Sequence, residues 1–112
     1  MKRLIYRITK KIVRSLGKDI SYIDLKEMIK ENRNIVIIDV RTKDEFQEFH
    51  LDGAVNVPLQ DIERNIMRYV KSKSDVVVVY CQYGGRSRKA FKKLEKMGFV
   101  NVHNLDGGIE EI

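Results

Sequence analysis

Two near-continuous apolar runs, residues 35–40 and 76–80, stand out along the chain. Their length and lack of polar alternation suit strands covered on both faces of a sheet. After each run the period lengthens. Beyond residue 87, Ala90, Phe91, Leu94 and Met97 share one helical face, with Lys and Arg on the other. Leu25, Met28 and Ile29 form a similar stripe, as do Ile62, Ile66, Tyr69 and Val70. Shorter strand signals lie at residues 20–21, 54–57 and 100–104, the second stopped by the only proline, Pro58. Ser21 with Asp24, and Thr42 with Glu45, have the spacing of helix starts, the second a capping box opening a helix to about His50. Gly98 is placed to end the helix that begins near Ser87. Strands alternating with helices predict an α/β protein, in which right-handed crossovers build a parallel sheet with helices on both faces. Ligands of such sheets bind outside the carboxyl ends of the strands.

Residues 1–18 read separately. Leu4, Ile5, Ile8, Ile12, Val13 and Leu16 fall on one helical face and basic residues on the other, which predicts an amphipathic helix ahead of a domain over residues 19–112. Charge sharpens the division. The chain carries +6 overall, but residues 1–18 hold seven basic residues and no acid, so the other 15 basic and 16 acidic residues net −1. A near-neutral domain argues against nucleic acid as its partner. The favoured reading of the helix is packing on the domain or on a second copy; the alternative is weak peripheral membrane contact, since it is short and lacks Trp and Phe. The sequence leaves oligomeric state open. No apolar run is long enough to span a membrane, and the basic N-terminus lacks the uninterrupted core of a secretory signal.

Cysteine usage changes the picture most. The single cysteine, Cys81, excludes an internal disulfide, fits a reducing compartment and hence a cytoplasmic location, and leaves a free thiol with no resolving partner. With one cysteine and two histidines, His50 and His103, at unpaired spacing, no metal site and no cofactor are expected. Cys81 ends the second apolar run, and a helix follows within a few residues. The unpaired N–H groups of that helix's first turn favour negative charge, which lowers a thiol's pKa. Gly84 and Gly85 allow positive φ and clear the space for such a cradle. Arg86, with Arg88 and Lys89 behind it, adds positive charge. The predicted chemistry is a thiolate attacking an anionic substrate.

Cys81-Gln82-Tyr83-Gly84-Gly85-Arg86-Ser87 resembles the C-x-x-G-x-R-S loop of single-domain rhodanese-like sulfurtransferases. Residues 38–46, IDVRTKDEF, are similar to the family's strand end and acidic, aromatic helix start. Residues 50–59, HLDGAVNVPL, resemble its H-I-x-G-A-x-N-I-P segment. Gly98-Phe99 and residues 105–109, LDGGI, resemble its closing motifs. The resemblance implies a three-layer α/β/α rhodanese-like fold with about five parallel strands. It also implies transfer of a sulfane sulfur from thiosulfate or a small persulfide to a thiol, a protein acceptor or cyanide, through a Cys81 persulfide. Gln82, Tyr83, Gly84, Gly85, Arg86 and Ser87 would bind the substrate, with Gln82 and Tyr83 at the entrance. Asp39 and Arg41 read as supporting residues, Asp39 tying loop amides and Arg41 pairing with Glu45 or Glu48. After Gly107-Gly108-Ile109 the chain departs from the family's aromatic residue and fuller closing helix, which leaves the covering of the last edge open.

Two other classes compete. A cysteine-dependent phosphatase or arsenate reductase would show H-C-x5-R. Here Arg86 follows Cys81 after four residues and Tyr80 replaces the histidine. A binding module or slow persulfide carrier on the same fold is the other alternative, and the intact loop favours chemistry over loss of it.

Overall fold

The computed structural model describes residues 18–31 and 34–112, so the expected helix over residues 1–18 lies, but for Lys18, outside the described residues. Five strands run β1 (Asp19–Ile20), β2 (Val36–Asp39), β3 (Val55–Asn56), β4 (Val77–Tyr80) and β5 (Val102–Leu105). They form one sheet in the order β1-β5-β4-β2-β3, every neighbouring pair parallel. The two long apolar runs are its centre, in register from Val36 opposite Val77 to Asp39 opposite Tyr80.

Alternation along β4 sends its side chains to two cores. Val77, Val79 and Cys81 join Ile38, Ile62, Ile66, Ala90 and Leu94 on one face. Val78 and Tyr80 join Ile20, Leu25, Met28 and Leu105 on the other. Helix α1 (Tyr22–Glu31) covers the second face; α3 (Ile62–Asn65) and α4 (Gly85–Lys96) cover the first. The short α2 (Lys43–Glu48) follows β2. The three-layer α/β/α expectation therefore stands.

Several boundaries move. In α1 the buried stripe follows Leu25 and Met28, leaving Ile29 on its shoulder, 45% exposed. The segment from Leu59 to Arg68 is a 3-10 turn, α3 and a second 3-10 turn rather than one helix. Its buried residues Ile62 and Ile66 are four apart, and just beyond it Val70 continues the step while Tyr69 is exposed. Val100 is exposed and β5 begins two residues later. Helix α4 ends as its sequence predicts. Gly98, at φ 97°, donates to the Glu95 carbonyl and Phe99 to that of Leu94, and Phe99 is buried in Leu94's core. Strands β1 and β3 are the edges, and Ile109 of the closing segment packs in the same core as Ile20 of β1.

Candidate active site

Cys81 leaves the carboxyl end of β4, the strand between β5 and β2, and Gly84 caps α4 four residues before Arg88. Gly84 has φ 110°, a value L side chains rarely adopt, and this sharp turn folds the loop back over its own cysteine. The sulfur is the centre of the result. Gly84 N–H lies 3.0 Å and Ser87 N–H 3.3 Å from Sγ, and both donate to it. The Ser87 hydroxyl sits 3.4 Å from Sγ and 3.1 Å from the Gly84 carbonyl. Burial works to raise the Cys81 thiol; the hydrogen bonds from Ser87 and Gly84 outweigh it and hold the thiol below its ordinary value. Cys81 is 1% exposed, so only a slender atom can approach its sulfur.

Two supports hold the loop from behind. The first is the closing 3-10 turn, Gly108–Glu111. Ile109 N–H donates to the Cys81 carbonyl and Glu110 N–H to that of Gln82, each at 3.0 Å. With these carbonyls taken from the rear, the peptide groups that follow are oriented as donors around the sulfur. Gly108 makes this approach feasible: a Cβ there would stand 2.5 Å from the Cys81 carbonyl oxygen and 2.4 Å from that of Gln82. The short closing segment is thus a strap across the loop. The glycine pair was visible in the sequence; its distance from Cys81 along the chain hid its purpose.

The second support is Arg41, 3% exposed, which binds the Asp39 carboxylate through Nε and Nη2 at 2.8 to 3.2 Å. Arg41 also donates to Gln82 Oε1 at 3.0 Å and to the Phe49 carbonyl. Gln82 in turn donates to Glu110, so its amide bridges the two supports while Tyr83, 72% exposed, stands at the entrance. Asp39 accepts the Arg41 N–H at 2.9 Å, a loop amide as expected. The expected pairing of Arg41 with Glu45 or Glu48 is corrected. Asp39, two residues away at the same strand end, satisfies its fork in a buried site, where bidentate geometry is strongest. Asn56 adds bonds to the Asp39 and Arg41 carbonyls, both at 3.0 Å, a role not read from the sequence.

Glu45 turns instead to the active loop. Its carboxylate meets Arg86 Nη1 at 2.7 Å and Nη2 at 2.9 Å, while the Thr42 capping box orients it. The Arg86 bonds lower the Glu45 carboxyl to about 2. Arg88 pairs with Asp19 at 3.3 Å. His50 is structural, its Nδ1 2.8 Å from the Phe46 carbonyl and its ring stacked on Phe46. Among the described residues no group of three or more His, Cys, Asp or Glu stands together as a metal-ligand set, and no helix is long and apolar enough to cross a membrane.

Fold and loop together define an α/β transferase that presents one activated thiol at the end of a central strand. Comparisons with known proteins agree. The family described as Rhodanese-like domain matches residues 21–112. The chain is 40% identical over 75 residues to thiosulfate sulfurtransferase PspE of Escherichia coli, covering 67% of this chain and 71% of that one. It is 34% identical over 93 residues to thiosulfate sulfurtransferase GlpE of Coxiella burnetii, covering 83% and 84%. A solved structure described as rhodanese with anions from E. coli superposes with a TM-score of 0.65 at 37% identity, over 70% of this chain and 91% of that one. The chain belongs to the rhodanese-like family and is a rhodanese-type sulfurtransferase.

Proposed function

We propose that the protein moves a sulfane sulfur from thiosulfate or a low-molecular-weight persulfide to a thiol, through a persulfide on Cys81. The observation that carries this reading is the convergence of the Gly84 and Ser87 N–H groups and the Ser87 hydroxyl on one sulfur atom. In the first step the Cys81 thiolate attacks the outer sulfur of thiosulfate. A new S–S bond forms, the S–S bond of the donor breaks, and its electron pair leaves with sulfite. The terminal persulfide sulfur carries the negative charge, and the loop donors hold it as preorganised dipoles hold other developing anions. In the second step an acceptor thiolate takes that sulfur, becoming a persulfide and returning Cys81 to its thiolate; cyanide would leave as thiocyanate. The two displacements predict ping-pong kinetics. No proton transfer is needed once the thiolate exists, which agrees with the structural role of His50 and the absence of a general base from the mechanism.

The loop favours sulfur over phosphate. Its N–H groups close on Sγ itself, and Arg86, the residue a phosphatase would use to clamp an oxyanion, is held by Glu45.

Intact mass before and after thiosulfate tests the proposal. The native chain should gain one sulfur atom and lose it to cyanide, while Cys81→Ser should gain none and melt at an unchanged temperature. No gain with thiosulfate or with a small persulfide would overturn it.

A further inference from the structure

The arginines in and beside the loop are each matched by a carboxylate. Arg41 holds Asp39 at 2.8 Å, Arg86 holds Glu45 at 2.7 Å, and Arg88 holds Asp19 at 3.3 Å with Asp106 at 3.9 Å. Only the pair of Arg86 with Glu45 joins the active loop itself to another element. That pair is built rather than incidental. It is bidentate, it spans 41 residues of chain, and Glu45 is fixed from the other side by the Thr42 hydroxyl and N–H. A cation so engaged offers an incoming anion little net field, because its partner's charge lies within hydrogen-bond distance. The sequence reading of Arg86 as positive charge beside an anionic substrate therefore meets a neutralised residue.

We infer that Glu45 is a specificity-determining residue: by cancelling Arg86 it withdraws the long-range attraction for dianionic thiosulfate and favours donors that carry their sulfane sulfur on an organic thiol of low charge. The inference rests on the sulfur-transfer reading for its choice of substrates. Its electrostatic core does not, since any anion approaching Cys81 meets the same pair. Thiosulfate, with two charges on a small body, loses most from the cancellation. A persulfide on a larger thiol approaches past Tyr83, which is 72% exposed and neutral, and relies on the loop N–H groups alone.

Alkylation of Cys81 separates charge from transfer chemistry, because iodoacetate and iodoacetamide differ in charge and scarcely in shape. The ratio of their rates, read by intact mass at low ionic strength, is compared for the native chain, Glu45→Gln, Arg86→Gln and the double variant. Glutamine at 45 keeps an oxygen for the Thr42 N–H, so the capping box survives. In Glu45→Gln the iodoacetate-to-iodoacetamide ratio should rise about three- to tenfold, and in Arg86→Gln it should fall by a similar factor. The double variant, neutral at both positions, should return to within about twofold of native, and salt at about 1 M should erase the differences. The kcat/KM for thiosulfate should follow the same order. A ratio unchanged in Glu45→Gln, or a double variant that behaves like either single one, would overturn the inference. A ratio that moves as described in proteins that accept no sulfur from any donor would uphold the charge cancellation and overturn the transfer reading instead.

Discussion

Ser87 is fully buried and holds two partners, Cys81 Sγ and the Gly84 carbonyl. With the thiol protonated, S–H donates to the hydroxyl and the hydroxyl donates onward to Gly84. With the thiol ionised, rotation of the same O–H lets it donate to sulfur at no cost in backbone geometry. Ser87 thus lowers the Cys81 pKa by serving the anion without leaving a buried group unpaired in the neutral form. Ser87→Ala removes this donor. The pH midpoint of Cys81 alkylation by iodoacetamide should move upward, toward the ordinary thiol value, and stability should fall by about 1 kcal/mol. An unmoved midpoint would assign the lowered value to the N–H groups alone. At this scale the sequence was informative about Cys81, Gly84 and Ser87, because a strand-to-helix turn dictates where N–H groups gather. It was uninformative about which carboxylate meets which guanidinium. Arg41 had Asp39, Glu45 and Glu48 within reach along the chain, and only the packed strand ends decide among them.

At the level of elements, the strap matters as much as the loop it holds. Gly53 and Gly108 share similar positive φ values, 79° and 66°, yet a Cβ meets nothing within 4 Å at Gly53 and two carbonyl oxygens near 2.5 Å at Gly108. Gly53→Ala should cost about 1 kcal/mol and leave turnover intact. Gly108→Ala should cost about 2 to 4 kcal/mol and depress sulfur transfer, because relieving the clash must push the Cys81 and Gln82 peptides out of line. Equal effects in chemical denaturation and in turnover would sink the strap's role. Periodicity found every strand and the three longer helical segments, since each needs only its own residues to declare a buried face. It missed the break of the Leu59–Arg68 segment into 3-10 and α turns, and it missed the strap, because both depend on what lies opposite in the fold.

For the whole molecule, two ion pairs differ in reach: Arg86 with Glu45 joins segments 41 residues apart, and Arg41 with Asp39 is local and buried. Glu45, at about 2 in the folded chain against an ordinary 4.5, is held down by Arg86. A depressed carboxyl stabilises the fold fully above its ordinary value and loses that contribution as pH falls from 4.5 toward 2. Urea midpoints followed from about pH 6 to about pH 2 should therefore drop more steeply for the native chain than for Glu45→Gln; parallel curves would remove the pair from the acid response. The buried pair of Asp39 with Arg41 is tested by substitution. Asp39→Asn strands the Arg41 charge, at 3% exposure, and should cost about 3 to 5 kcal/mol in urea unfolding.

The strap also sets an order of events. The peptide groups of Cys81 and Gln82 are aligned by amides of Ile109 and Glu110, which the ribosome adds 28 residues later. Strand β5, between β4 and β1, likewise arrives after its neighbours. The anion cradle is therefore finished only when the strap, which follows the last strand, has docked behind the loop. The lowered thiol pKa is thus a property of the complete fold and not of the Cys81–Ser87 segment alone.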